Sequence, residues 1–567
     1  MVEKARSSDW NHTPGLEVVL DVSGGVNTAD EDYILKEDQL AYLSNGRLNV
    51  FGKRYRRQGC QSILAPGLEA DAIEGWVDSV GNRYLTGLWD GDLWKTDGVG
   101  TWTIAAMSAI SMYTATPHGI VIGRGFFYNP ASTATFAQTM AFVYGLAPVD
   151  GTVGVERALA VSDEQLTHYH TYRPKAACWW QGRMWIGNLA YDDGHYPDTL
   201  AWSQILDGNT FDIAINNIRV DADQGDEITR IMPARSSQPR LYIFKKHSVH
   251  ALDVVWSGGV TIPATENTLD TVNSQLVVLS ASIGCVAPMT VVYSSGSEKA
   301  DIMFLAADGL RSMARVEQDA ASGAGVPMSA PIQDVIDRIN WAHAEAAWAQ
   351  VFDKLLYLAL PVDGATVANI MVLYDLEKGR WVGEHSFVPT RGTIFTFANQ
   401  GAGLFGVVGT GVTDVPFFTT NPTFCAHLYQ LVKNDWYTDG AYSAVEYCEI
   451  TRGMVFGNYG AKKRWNWVDL MLEPATTAAT MSVYGKVDEA EWELVGHVSV
   501  EPEYLYPILP APLPWIFTSA RPAFKRLGLE DLMPGNKLQI KVTSQSPAPF
   551  AIRATRTSAW PLEETWE

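Results

Sequence analysis

An all-β chain, built as a β-propeller with a further β domain behind it, is what this sequence predicts, and three observations carry the prediction. The first is composition: 20 Trp, 23 Tyr and 20 Phe stand among 48 Gly and 28 Pro in 567 residues, the mixture of short aromatic strands and frequent turns rather than of long helices. The second is a recurring unit, an apolar strand, a short Asp/Gly/Lys turn and a second apolar or aromatic strand. The third is the spacing of that unit, which is close to one four-stranded blade with its loops.

The clearest copies of the unit are RYLTGLWDGDLW (83–94), RLYIFKKHSVHAL (240–252), DIMFLAADGLRSM (301–313) and IMVLYDLEKGRW (370–381). Weaker copies occupy 118–128, 183–191, 354–363 and 403–418. Met184, Tyr242, Met303 and Leu356 mark successive units, separated by about 58, 61 and 53 residues, an irregular period that means divergent blades. About six or seven blades fit, and radial closure leaves only short protected strand edges.

Three regions follow. Residues 1–64 form an N-terminal segment joining the body or a neighbouring subunit, 65–440 the propeller, and 441–567 a β-sandwich-like domain, where RWNWVDLML (464–472), ATMSVYGKV (479–487), WELVGHVSV (492–500) and LQIKVT (538–543) alternate without blade turns. The Pro-rich stretch 501–515 is read as a long solvated loop. Two helices are expected: 330–350, where Ile332, Val335, Ile336 and Ile339 share a helical face ahead of an Ala-rich tail, and a shorter one over 36–43.

Composition also excludes. With 63 acidic against 42 basic residues the formal charge is -21, which rules out simple polyanion binding and attraction to an anionic membrane. A 47% apolar content with 19% charged residues rules out wholesale disorder. Residues 1–20 lack the apolar core of a secretory signal. The uncharged stretch 276–293 is interrupted by Ser280, Ser282, Gly284 and Pro288 and reads as two strands around a turn, not a membrane span. Cys60, Cys178, Cys285, Cys425 and Cys448 are odd in number and form no CxxC pair, so neither a disulfide framework nor a zinc site is expected.

Few motifs carry chemistry. Asp221, Asp223, Asp226 and Glu227 (DADQGDE) offer alternating carboxylates around a glycine, but the spacing is wrong for an EF-hand and the bidentate Glu of the twelfth position is absent. Asp221, Asp223 and Asp226 are thus a weak metal candidate only, and a solvated turn between blades is the preferred reading. His168 and His170 would share one side of a strand with His195 following, and a strand surface explains them better than a metal site. The segment 96–102 (TDGVGTW) approaches an Asp-box turn with displaced glycines and no second copy. No GxSxG, Walker A, GxGxxG or HExxH motif occurs. No catalytic, cofactor-binding or channel-lining residue can be assigned, and no enzymatic activity is expected. The basic runs Lys53, Arg54, Arg56, Arg57 and Lys462, Lys463, Arg464 read as solvated strand ends in preference to contacts with an acidic partner or DNA phosphates.

A family resemblance adds to this. Asp21-Val22-Ser23-Gly24-Gly25-Val26-Asn27-Thr28, followed by Leu35, Asp38, Gln39, Asn45-Gly46-Arg47 and Arg57-Gln58-Gly59, resembles the opening of tail nozzle proteins of short-tailed bacteriophages, also called tail tubular protein B-like. Gly225-Asp226-Glu227-Ile228-Thr229 leading into Leu241-Tyr242-Ile243-Phe244-Lys245 and Ser248 looks like the inter-blade motif of that family, and Gly284-Cys285 to Pro288 leading into Phe304-Leu305 and Asp308-Gly309 looks like the next. Leu356 to Ala359, Tyr374-Asp375 with Trp381, Phe456-Gly457 with Lys463-Arg464, and Leu538-Gln539 followed by Pro549-Phe550 agree in order. Asp30-Glu31-Asp32 and the Pro-rich loop have no counterpart.

The resemblance implies a virion protein, assembled in the host cytoplasm, whose propeller forms a homohexameric ring. It also implies an adaptor protein above, fibre, spike or needle proteins nearby, and genomic DNA passing without sequence-specific contacts. Acidic channel walls would repel phosphates and act as a lubricant. Two alternatives stand beside this nozzle reading: a carbohydrate-binding or carbohydrate-cleaving propeller acting as a receptor-binding tail component, and a tail adaptor or stopper.

Overall fold

A computed structural model describes most of the chain between residues 16 and 562, continuously over 22–49, 51–64, 300–322, 325–395, 478–500 and 523–546, and elsewhere as strands with parts of their connections. Among the described residues seven groups of antiparallel strands follow one another along it, six as small separate sheets and one as part of a ten-stranded sheet. Blade 1 holds Ala72–Val77, Arg83–Trp89, Asp92–Thr96 and Thr101–Ala105; blade 2 holds Ile120–Phe127, Gln138–Gly145, Val155–Leu159 and Thr167–Tyr169. Blade 3 is Arg173–Trp180, Arg183–Tyr191, Gly194–Trp202 and Asn217–Arg219, and blade 4 is Ile228–Pro233, Arg240–Lys245, Val249–Asp253 and Gln275–Ser280. Blade 5 has three strands, Val292–Tyr293, Ile302–Ala306 and Gly309–Ser312; blade 6 has Trp348–Phe352, Leu355–Leu360, Ile370–Asp375 and Arg380–His385. Blade 7 joins Arg391–Phe395, Gly403–Val408 and His427–Gln430 to an early strand, Gln61–Leu64, at its outer edge.

The first strands close a ring. Those of blades 1 to 4 touch in sequence, the first strand of blade 6 touches those of blades 5 and 7, and that of blade 7 returns to blade 1. Between blades 4 and 5 the Tyr293 hydroxyl donates to the Pro233 carbonyl at 2.5 Å and Phe244 packs on Phe304. The fold is therefore an all-β propeller of seven blades. Met184, Tyr242, Met303 and Leu356 each lie in the second strand of their blade, so the sequence period marks real blades. The four strong hairpins form as expected, whereas the described residues of 118–128, 183–191 and 354–363 each supply one strand instead of two, and 409–418 lie outside the described residues.

A two-sheet sandwich lies behind the ring. One sheet runs Gly46–Leu48, Arg54–Arg56, Ala551–Pro561, Lys463–Leu472 and Ala523–Gly528, with Leu16–Leu20 also paired to Ala551–Pro561. The other runs Gln39–Ser44, Tyr447–Thr451, Leu538–Ser544, Ala479–Val487 and Glu493–Val500, and it continues blade 6 through the parallel pairing of Glu384 with Ser44. Leu20, Leu40, Tyr447, Trp465, Val483, Ile540 and Ile552 meet in its core. The early residues thus complete sheets made by the late ones.

Two helical expectations are corrected. Residues 330–350 break into a 3₁₀ turn (Ala330–Ile332), a short helix (Gln333–Asp337), a second 3₁₀ turn (Trp341–Ala346) and the strand Trp348–Phe352. Ile332, Val335, Ile336 and Ile339 do face the core, but Asn340 N–H bonds the Pro361 carbonyl and the tail gains a full ladder with Leu355–Leu360, which outweighs its helix propensity. Likewise 36–43 turns into the strand Gln39–Ser44, where pairing on both sides overrides the local pattern. Leu276 to Tyr293 does divide into the strands Gln275–Ser280 and Val292–Tyr293 about a 3₁₀ turn. No described helix is long and apolar enough to cross a membrane.

The first basic run is not a solvated strand end. Arg54, Arg56 and Arg57 are buried where the N-terminal segment enters the sandwich. Arg54 pairs with buried Glu449 at 2.9 Å and donates to Thr555; Arg56 reaches the Val445 and Ala548 carbonyls; Arg57 donates to the Asn45 side chain. A guanidinium tolerates this because its rigid donors satisfy several acceptors at once. Lys463 of the second run is also buried and donates to the Asn536 carbonyl.

Candidate functional site: the axial end of the propeller

Propeller inner strands converge on the ring axis, so residues at their entries face one another. Three such residues meet here. Lys175 lies near the start of the first strand of blade 3, Glu227 immediately precedes that of blade 4, and Glu345 sits in the turn leading into that of blade 6. The Lys175 ammonium lies 3.1 Å from Glu227 and 3.8 Å from Glu345. Blades 3 and 6 are not neighbours, so this bridge spans the axial space.

Two neighbours hold Glu227 in place. Asn188, at a strand irregularity with φ of 58°, donates its amide to Glu227 (3.2 Å) and to the Ile228 carbonyl (3.0 Å). Its amide oxygen is left to accept from His195 Nε2 at 2.7 Å, which places the proton of the neutral ring on Nε2. Burial raises the Glu227 carboxyl, but Lys175 and Asn188 outweigh it and the group stays ionised below its ordinary range. Burial pushes His195 down against the pull of Glu227. Two oxygens touching one ammonium at these distances lie no farther apart than a carboxylate pair can across a glycosidic bond, up to about 9.5 Å. The cluster can accept hydroxyl protons through Glu227 and Glu345 and donate through Lys175.

The residues singled out from sequence are placed differently. The Asp226 carboxylate accepts from the His247 amide and Ser248 hydroxyl, so it fixes a turn. Asp221 offers its backbone carbonyl to Lys245 at 3.4 Å, and Asp223 lies outside the described residues. Among the described residues no group of three or more His, Cys, Asp or Glu is arranged to hold a metal ion. His195 joins the axial cluster, His168 lies in the strand Thr167–Tyr169, and His170 is outside the described residues, as is the centre of 96–102. Nothing in the residue order signalled Lys175 or Glu345, which come together only through ring closure.

The motif residues interlock. Thr229 donates to the Phe244 and Cys285 carbonyls, and the Cys285 amide donates to Lys245, so Gly225 to Thr229, Leu241 to Ser248 and Gly284-Cys285 form one clasp between blades 4 and 5. A Cβ on Gly284 would lie 2.5 Å from backbone atoms of this clasp. Gly25 adopts φ of 90° and a Cβ there would fall 2.4 Å from the Trp381 carbonyl, which only glycine permits. Tyr374 packs edge-on against Trp381, whose indole donates to Met328. A groove of about 890 Å³ lies between blades 5 and 6, with Arg315, Lys354, Tyr374 and Glu377 on its walls.

No family model and no curated protein matches the chain. Among solved structures it is similar to an exo-β-1,3-galactanase from Phanerochaete chrysosporium, at 9% identity over 76% of this chain and 95% of that one with a TM-score of 0.20. It is also similar to a glycoside hydrolase family 43 arabinoxylan arabinofuranohydrolase from Bacillus subtilis, at 8% identity over 88% of this chain and 99% of that one with a TM-score of 0.23. The expectation of a chain without enzymatic activity does not fit the matched chains, which are named as glycoside hydrolases.

Proposed function

We propose that this chain is a propeller subunit of the tail of a short-tailed bacteriophage, and specifically the nozzle subunit that extends the tail tube and lets DNA leave. The observation that supports this reading is the interlocking of the resemblance-bearing segments: Asp226 with Ser248, Thr229 with Cys285, and Gly25 against Trp381. The first fixes a turn of blade 4, the second ties blade 4 to the segment leading into blade 5, and the third packs the strand Gly25–Val26 against blade 6. Light scattering and negative-stain imaging of the full chain and of its parent particle test it. A six-fold ring with a central channel, at the distal end of the tail, is the expected result; a stable monomer located on peripheral fibres would overturn it.

A second reading is favoured by the axial cluster. A propeller that binds or cleaves carbohydrate, serving as a receptor-binding tail component, would use Glu227 and Glu345 to accept from sugar hydroxyls and Lys175 to hold the pair. Glycoside hydrolase is also the activity for which the matched solved chains are named. Retention or hydrolysis of host-surface glycans by the purified chain, reduced about tenfold or more in E227Q or E345Q, is the expected result. No retention and no reducing-end release across a glycan panel would remove the reading.

A further inference from the structure

The axial cluster holds a second chemistry besides its grip on the carboxylate pair. One oxygen, Glu227 Oε2, accepts from the Lys175 ammonium at 3.1 Å and from the Asn188 amide nitrogen at 3.2 Å. Nζ and Nδ2 are therefore no more than about 6 Å apart. Backbone register brings the two residues together. Lys175 lies in Arg173–Trp180 and Asn188 in Arg183–Tyr191, where Pro174 faces Leu189 and Ala176 faces Gly187, which makes Lys175 and Asn188 cross-strand neighbours.

The surroundings supply what an amine needs to attack an amide. Asn188 is 0% exposed and the Lys175 side chain 12%, so little water competes with the amine or hydrolyses a product. The Asn188 amide oxygen accepts from His195 Nε2 at 2.7 Å, a donor set where negative charge gathers when Cγ becomes tetrahedral. Glu227 meets the attacking nitrogen and the leaving nitrogen through the same oxygen, so it can take a proton from one and hand it to the other. Holding amine and amide side by side replaces the high concentration of amine that the reaction would otherwise require.

We propose that Lys175 and Asn188 join through an isopeptide bond, formed by the chain itself with Glu227 as proton carrier and His195 as oxyanion donor. The Lys175 ammonium gives a proton to Glu227 Oε2, and the freed lone pair attacks Asn188 Cγ to form the Nζ–Cγ bond. Glu227 passes that proton to Nδ2 and takes a second from Nζ. The oxyanion on Oδ1 reforms the carbonyl, the Cγ–Nδ2 bond breaks, and ammonia leaves, carrying the second proton off as ammonium. A lysine ammonium and an asparagine amide become a secondary amide and ammonium, and the balance needs no further reactant. The linked nitrogen keeps one N–H for the carboxylates, while the chain loses one positive charge near its axis. The link requires only a folded chain, so its failure leaves both functional readings as they stand.

Intact-mass spectrometry of the full-length chain tests it. The expected mass is lower than that of the sequence by about 17 Da, the mass of ammonia. Trypsin cuts after Arg183, between the two residues, and the digest is expected to hold one branched peptide in which the Lys175 and Asn188 segments stay joined. K175R and E227Q are expected to keep their full mass, with thermal melts reporting that both fold. The branched peptide is read on the unaltered chain, so a variant that failed to fold would not obscure it. The full mass in the unaltered chain, fresh and after days of incubation, would overturn the link. A loss of the same size that persists in K175R would assign it to a cyclised asparagine and overturn the link as well, and joined segments in E227Q would overturn the proton path.

Discussion

The Arg54–Glu449 pair is almost wholly withdrawn from water, and removing one partner leaves the other charge buried without compensation. Arg54→Met is expected to lower stability by about 3–5 kcal/mol, while R54M/E449L recovers most of the loss, read as shifts in urea unfolding. His385, buried beside Arg57 and Arg47, is held well below its ordinary value, by burial first and by those cations second. Its ring is neutral when folded, whereas the unfolded chain takes up a proton below about pH 6.5. The stability it contributes is therefore present above that pH and lost as pH falls beneath it, by at most about 1.4 kcal/mol per unit. His385→Gln is expected to flatten the dependence of unfolding free energy on pH between 6.5 and 5. Neither site was legible in the sequence: a run such as Lys53 to Arg57 has the composition of a solvated strand end, and only the late strands that fold over it turn it into a buried joint. Gly25 was legible as a glycine in a motif, but not as the place where backbone meets Trp381.

At the scale of elements, the hairpins were readable because each turn lies within a few residues of the strands it joins, as at Asp375 to Gly379, where the Gly379 amide bonds the Asp375 carbonyl and φ of 66° suits glycine. The region 330–350 was misread for the opposite reason. Its apolar spacing is helical, but Pro361 and the strand Leu355–Leu360 compete for its backbone, and partners outside the segment leave no trace in its periodicity. Edge pairing makes a further prediction. Residues 1–64 supply the outer strand of blade 7 and strands to both sandwich sheets, so a chain lacking them exposes unpaired strand edges in three sheets. It is expected to aggregate on expression, and addition of the missing segment as a separate polypeptide during refolding is expected to raise the soluble yield, measured by size-exclusion chromatography.

For the molecule as a whole, blade order followed from the spacing of second strands, whereas the axial cluster did not, because Lys175 and Glu345 are brought together by the ring and by nothing local. The same long-range closure sets a timetable. Leu16–Leu20 and Arg54–Arg56 pair with Ala551–Pro561, and Gln61–Leu64 with His427–Gln430, so these strands leave the ribosome long before the partners they wait for. At about 5–20 residues per second, that interval is on the order of half a minute to two minutes, during which apolar strands such as LEVVL stand without their partners. The nascent chain is therefore a natural client for ribosome-associated chaperones, and the sandwich is a module that can form only once Ala551–Pro561 has left the ribosome.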